Sequence, residues 1–311
     1  MPRERARLLI AFACVYLIWG STYLAIRFAI ETIPPFLMAG VRFLVAGIAL
    51  ALWSRRRGAP WPTAAEWRVA AVVGTLMLLG GNGGVVWAEQ TVPSGLAALI
   101  VAAVPIATVA IDWLRPGGMR PGRATIAGLL TGFAGVALLV NPFATDAGRV
   151  DPLGAAALMV ATLSWAAGSI YSRGARGIAS PLMGAGANMI TGGAGLLALG
   201  LVVGELPRLN LGAVSTRSAL ALLYLIAIGA LVGFTAFFWL LANTTPAKST
   251  TYAYVNPVVA IVLGWAIAGE PLTARILVAA AVIIAGVVMI TTLPHLKAWL
   301  TARRATSPAG G

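Results

Sequence analysis

The chain has 311 residues, of which 59% are hydrophobic and only 10% charged. A soluble domain carries about 25% charged residues, so this composition excludes an ordinary soluble fold and points to a multi-span membrane protein. The net charge of +13 raises nucleic acid as a partner, but the placement of that charge argues against it.

Crossing a hydrocarbon core of roughly 30 Å takes about 20 apolar residues as a helix. Ten such runs are expected, at 8–30, 35–53, 69–88, 94–114, 124–140, 152–172, 181–203, 218–241, 246–268 and 272–292. The first follows Arg3, Arg5 and Arg7. It is longer than a signal-peptide core and no small-residue cleavage site follows, so it reads as a retained signal anchor. β-Barrel spans would alternate apolar and polar residues, whereas these runs are solidly apolar. Asp151-Pro152, Ser180-Pro181 and Thr245-Pro246 each place a capping side chain before a Pro at the first helical position, where its missing N–H costs nothing.

With the N-terminus inside, sixteen Lys and Arg fall in inner segments, among them Arg55, Arg56, Arg57 and Arg68. Four fall in outer loops: Arg149, Arg208, Arg217 and Arg275. Lys and Arg flanking spans stay cytoplasmic, so both termini are expected inside. The positive charge is a topology signal, and nucleic acid is not an expected partner. The polar tail 297–311 is expected to be cytoplasmic.

The chain uses one stretch twice. Sliding residues 87–123 by 152 positions puts Trp87 on Trp239, Pro105 on Pro257, Trp113 on Trp265, Gly117 on Gly269 and Arg123 on Arg275. An earlier match at an offset of 146 pairs Trp19 with Trp165, Pro35 with Pro181 and Gly40 with Gly186. Repeats of this kind set the architecture. Five spans per unit is an odd number, so the second unit enters the membrane upside down. The fold class expected is an all-α integral membrane protein: ten transmembrane helices as two inverted-topology repeats, 1–143 and 144–296. Inverted repeats point to a transporter with its site near the midplane, between the units.

Three features carry a family resemblance: YLIWGSTYLAIRFAIETIPP at 16–35, FLMAGVRFLVAGIALAL at 36–52, and the paired Pro105 and Pro257. Together they resemble the ten-helix EamA-type branch of the drug/metabolite transporter superfamily, over nearly the whole chain. The resemblance implies alternating access, with export or exchange of small metabolites such as amino acids, their analogues or toxic compounds. Many members carry a Gly-Glu pair after spans 4 and 9. Here the second copy has Gly269-Glu270, while the first has Gly117-Gly118.

Polar side chains inside a bilayer face the bundle or a cavity. On that ground the candidate pathway residues are Trp19, Ser21, Thr22 and Tyr23 in span 1, Arg42 in span 2, Asn82 in span 3, Trp165 and Ser169 in span 6, and Tyr252, Tyr254 and Asn256 in span 9. Asn82 lies within Gly80-Gly81-Asn82-Gly83-Gly84, where glycines admit a close neighbour and weaken the helix. Pro105 and Pro257 each remove a helix hydrogen bond and are the candidate hinges. Trp53, Trp61 and Trp67 read as interfacial anchors, and Trp113 and Trp265 as the same near span ends.

Arg42 is the one charge well inside a span. A cation there costs about 2.5–3.5 kcal/mol on insertion scales, so it is expected to face the bundle and find a partner: a substrate carboxylate, Glu89 or helix carbonyls. Arg27 is placed to snorkel or to pair with Glu31 four residues on. Glu89 and Asp112 read as interface residues. With every carboxylate at a span end or in a loop, facilitated diffusion or exchange is expected rather than a proton relay.

The single Cys14 excludes an intrachain disulfide. Neither it nor His295 joins a zinc-binding cluster, and no Walker-type loop is present. No catalytic residue, metal or cofactor is expected. The expected partners are a small-molecule substrate and the lipid bilayer, and the sequence leaves homo-oligomerisation open. The function expected is secondary transport in a bacterial inner membrane. An integral-membrane enzyme on lipid-linked substrates, or a membrane scaffold, is the alternative.

Overall fold

The computed structural model describes residues 2–115, 120–140, 150–175, 178, 180–243 and 252–291. Among them every element is helical and no strand occurs. Seven helices are long and apolar enough to cross a membrane: Ala6–Ala29, Pro35–Arg56, Ala64–Ala88, Ser94–Leu114, Pro152–Arg173, Pro181–Val202 and Thr216–Phe237. The other three expected runs fall on shorter apolar helices, Arg123–Leu139, Val255–Ala268 and Ala274–Met289. These lie below the length of about 20 residues that a span needs. Large apolar side chains such as Leu9, Val45, Leu130, Leu163, Leu223 and Val262 stand exposed around the bundle, which is the surface a lipid solvent requires.

In chain order the helices used below are α1 (Pro2–Ala29), α2 (Pro35–Arg56), α3 (Ala64–Val73), α4 (Gly83–Ala88), α5 (Ser94–Val101), α6 (Val104–Leu114), α7 (Arg123–Val140), α8 (Pro152–Gly174), α9 (Pro181–Val202), α10 (Thr216–Tyr224), α11 (Gly233–Asn243), α12 (Tyr252–Ala268) and α13 (Ala274–Thr291). Two starts have the expected local caps. Asp151 accepts from the Gly154 amide at 2.9 Å, and Ser180 from the Met183 amide at 3.4 Å. Thr245-Pro246 lies outside the described residues. The proline pair behaves unequally. Pro105 stands just after a break that separates α5 from α6, whereas α12 runs unbroken through Pro257.

The closest helix pairings are α2 with α9 and α7 with α13. Glycine makes the first one tight. A Cβ on Gly47 would lie 2.8 Å from the Gly186 carbonyl, and one on Gly193 would lie 3.1 Å from the Gly40 carbonyl. The 146-residue offset carries Gly40 onto Gly186 and Gly47 onto Gly193, so it exchanges one contact for the other. Without side chains between them, the backbones gain dispersion contacts that lipid cannot replace.

Two stretches depart from α geometry. Gly74–Asn82, between α3 and α4, and Leu225–Val232, between α10 and α11, are π-helical. They occupy the third and eighth expected spans. The glycines of the first are where the sequence reading expects the helix to weaken. Insertions of this kind concentrate at functional sites.

Candidate substrate-binding site

α1 runs among α5, α10, α11 and α12, and its middle turns build the site. Trp19 is 9% exposed. Its ring centre lies 5.2 Å from Phe234 and 4.9 Å from Phe237 on α11, and 5.1 Å edge-on from Tyr252 on α12. Edge and tilted geometries suit the aromatic quadrupoles. Ser21 shares a 2.6 Å hydrogen bond with the Tyr224 hydroxyl. The Thr22 hydroxyl donates to the Trp19 carbonyl at 2.6 Å, which turns its methyl toward the second π-helical stretch. There a Cβ on Gly229 would lie 3.1 Å from Thr22 Cγ2 and 3.5 Å from Arg42 Nη2. Glycine at 229 thus lets α1, α2 and the π-helix converge.

Arg42 is 3% exposed. Its guanidinium carbon lies 4.6 Å from the centre of the Phe43 ring, but Nε and Nη1 have no hydrogen-bond partner. Glu89, directly after α4, is 1% exposed, and neither carboxylate oxygen has a partner. The two feel each other's charge without a hydrogen bond or ion pair joining them. Arg27 and Glu270 are the other charges acting on Glu89, and Glu89 and Tyr252 both act on Tyr23. Stranding a charge in an interior costs several kcal/mol unless something completes it. The arrangement therefore places a guanidinium and a carboxyl group, both buried, beside an aromatic wall.

The remaining expected residues divide. Asn256 is 8% exposed. With its amide turned to satisfy its neighbours, the nitrogen donates to the Tyr252 carbonyl at 3.2 Å and to the Tyr16 carbonyl at 3.3 Å. It ties α12 to α1 rather than facing a cavity. Ser169 donates to the Trp165 carbonyl on its own helix at 2.8 Å, and Trp165 packs on Gly81. Asn82 ends that π-helical stretch, half-buried. These three form a second group along α8 and the Gly74–Asn82 segment. The side chain of Tyr254 lies outside the described residues.

Several expectations need correcting. Glu89, expected as an interface residue, is buried by the surrounding helices although it stands at a helix end. Standing at a span end, as expected, does not keep the Glu89 carboxyl in contact with water. Arg27 does not pair with Glu31. It lies 3.7 Å from Glu270, and Glu31 instead lies 3.5 Å from Arg217. Asp112 pairs with Arg115 at 2.7 Å. Sequence reasoning passed over Tyr224, Gly229, Phe234 and Phe237. The two Phe residues stand three apart on one face of α11, a stripe that ordinary core packing also produces.

The chain matches the EamA-like transporter family over residues 7–141 and again over 152–292. It belongs to the EamA-like transporter family. Over 290 residues it is 40% identical to "uncharacterized inner membrane transporter YedA" of Escherichia coli (strain K12), covering 92% of this chain and 91% of that one. It is 26% identical over 293 residues to "uncharacterized transporter YvbV" of Bacillus subtilis (strain 168), covering 94% and 93%. A solved crystal structure superposes with a TM-score of 0.62 at 24% identity, covering 97% of this chain and 99% of the other. That likeness concerns the fold alone. The EamA membership makes the chain a membrane transporter, and Arg42 and Glu89 lie buried in its interior.

Proposed function

We propose that this EamA transporter is a secondary carrier of the bacterial inner membrane. In this reading it has ten spans in two inverted five-helix repeats, with both termini cytoplasmic, and works by alternating access between the repeats. It exports or exchanges a small metabolite bearing both an anionic and a cationic group, such as an amino acid or a close analogue. The observation that carries the substrate reading is that Arg42 Nε and Nη1 and both Glu89 carboxyl oxygens are buried without a hydrogen-bond partner. A guanidinium fork binds a carboxylate through two parallel N–H bonds, and a buried carboxylate is the counterpart for an ammonium. The aromatic wall of Trp19, Phe234, Phe237 and Tyr252 supplies an apolar face for the side chain. The repeat architecture draws support from the exchanged glycine contacts of α2 and α9.

Counterflow in proteoliposomes tests this. Vesicles loaded with unlabelled amino acid should take up the labelled compound, and loading with its des-amino or decarboxylated analogue should lower uptake about tenfold, the scale of one lost charge-assisted contact. Equal counterflow by singly charged or uncharged toxic compounds would remove the two-pole reading. Product formation in detergent without counterflow would favour a membrane enzyme instead.

A further inference from the structure

Most described helices that start at a polar cap supply it from their own sequence: Thr63 for α3, Asp151 for α8, Ser180 for α9 and Ser215 for α10. α2 and α5 do not. Each starts after a proline, Pro34 or Pro93, with no side-chain cap of its own. Their first amides are met from far along the chain. Glu205 accepts from the Phe36 and Leu37 amides at 3.2 and 2.9 Å. Glu270 accepts from the Ser94 amide at 2.7 Å, the Ser94 hydroxyl at 2.8 Å and the Gly95 amide at 3.0 Å. Both carboxylates are buried, at 3% and 9% exposure. A carboxylate at a helix N-terminus satisfies orphan donors and meets the positive end of the dipole.

The two arrangements share one local design. Each Glu follows a glycine at positive φ, Gly204 at 73° and Gly269 at 66°. The turn bends the chain back at the end of α9 or α12, so the Glu amide bonds to Gly200 or Gly264. A side chain at either glycine would be strained. In both cases a second-half residue clamps a first-half helix, and both clamps sit at the end of the bundle where α2 and α5 begin. At the opposite end the 146-residue offset carries Gly204-Glu205 onto Gly58-Ala59: Gly58 again has a positive φ, 89°, but Ala59 brings no carboxylate, and the side-chain contact nearby is the neutral one of Ser54 with Ser180 at 3.0 Å. The sequence counterpart of Gly269-Glu270 is Gly117-Gly118, which has no carboxylate.

The geometry points to Glu205 and Glu270 as a paired gate that holds this one end of the transporter shut, with no equivalent carboxylate clamp among the described residues of the other end. The gate rests on the alternating-access reading. Opening this end separates two carboxylates from two helix N-termini, while at the other end the described residues offer only a hydroxyl pair. Arg27, 3.7 Å from Glu270, adds a third group to the second clamp.

Site accessibility tests the gate without needing a substrate. In a Cys14→Ser background, a cysteine at Ser21 is labelled with an impermeant maleimide in whole cells and in inside-out vesicles. Glu270→Gln and Glu205→Gln should each raise the labelling rate from the gated side roughly tenfold, the weight of a charged hydrogen bond, and leave the other side unchanged or slower. Unchanged labelling in both variants and in the double variant overturns the gate. A second measurement covers variants that fold poorly. Leu37→Cys with Glu205→Cys, bridged by a short bis-maleimide, should stop counterflow, and full counterflow after bridging also overturns the gate. A chain that shows the labelling change but moves no solute keeps the gate and loses the transport reading.

Discussion

Arg27 reaches Glu270, 3.7 Å away on the segment after α12, rather than Glu31 in the turn that follows α1. The Arg27 side chain is 38% exposed while Glu270 is 9% exposed. Water therefore screens the pair from one side, and its net worth is at most about 1 kcal/mol. Arg27→Gln should lower the melting temperature in detergent only slightly. Glu270→Gln should lower it more, because three further hydrogen bonds to α5 weaken with it. A double-mutant cycle should give a coupling of about 0.5–1 kcal/mol. A coupling of zero would show that the ion pair contributes nothing beyond proximity.

Arg42→Lys keeps a positive charge but loses the fork. If Arg42 holds a substrate carboxylate, the substitution should raise the half-saturation concentration about tenfold with little change in melting temperature. Arg42→Gln should be worse for transport. If both variants lose stability in step with activity, Arg42 is a packing residue and the two-pole site should be dropped.

Gly186→Val tests the α2–α9 contact. A Cβ at Gly186 would lie 2.9 Å from both the Ala51 amide and the Gly47 carbonyl. Backbone cannot rotate away as a side chain can, so overpacking should cost about 1–3 kcal/mol. Thermal unfolding in detergent reads this directly. A melting temperature equal to that of the parent would mean that the two helices separate freely.

Orientation is checked by labelling. Arg57 and Asn210 are both exposed. A cysteine at Asn210 should react with an impermeant maleimide added to whole cells, and one at Arg57 should not. The reverse pattern overturns the expected topology.

Asp151 gives a pH signature outside the spans. The Thr91 hydroxyl, at 2.7 Å, and the Gly154 amide hold its carboxyl below the usual aspartate range. A depressed folded-state value means the contribution is present above the unfolded value of about 3.9 and fades as pH falls through the folded one. The group is solvent-exposed, so the effect is small. The gap in melting temperature between the parent and Asp151→Asn should shrink as pH drops from neutrality toward about 3. A gap that widens on acidification contradicts the assignment.

What was legible in the sequence was local. Asp151-Pro152 and Ser180-Pro181 mark true helix starts because a cap and the amides it satisfies lie within three residues. The apolar runs mark the helices for the same reason. The caps of α2 and α5 were illegible, since Glu205 and Glu270 are 168 and 176 positions from Leu37 and Ser94. Glu89 was misread because its place at a helix end says nothing of what packs over that end. Trp19, Thr22, Arg42 and Tyr252 were singled out for polarity or ring chemistry, and folding gathers them. Asn256 had the same credentials but spends its amide on two backbone carbonyls.

The two π-helical stretches, Gly74–Asn82 and Leu225–Val232, have a consequence for motion. Each holds one residue more than an α-helix would need to make the same turn. Passing that surplus residue along the backbone re-pairs one carbonyl at a time, so no stage leaves the ladder open. As it passes, each side chain swings by about 100°, one residue's share of a turn. Gly229, with Thr22 and Arg42 beside it, lies on such a track. Migration of the stretch by one residue would re-aim the wall of the site without breaking a helix or moving one.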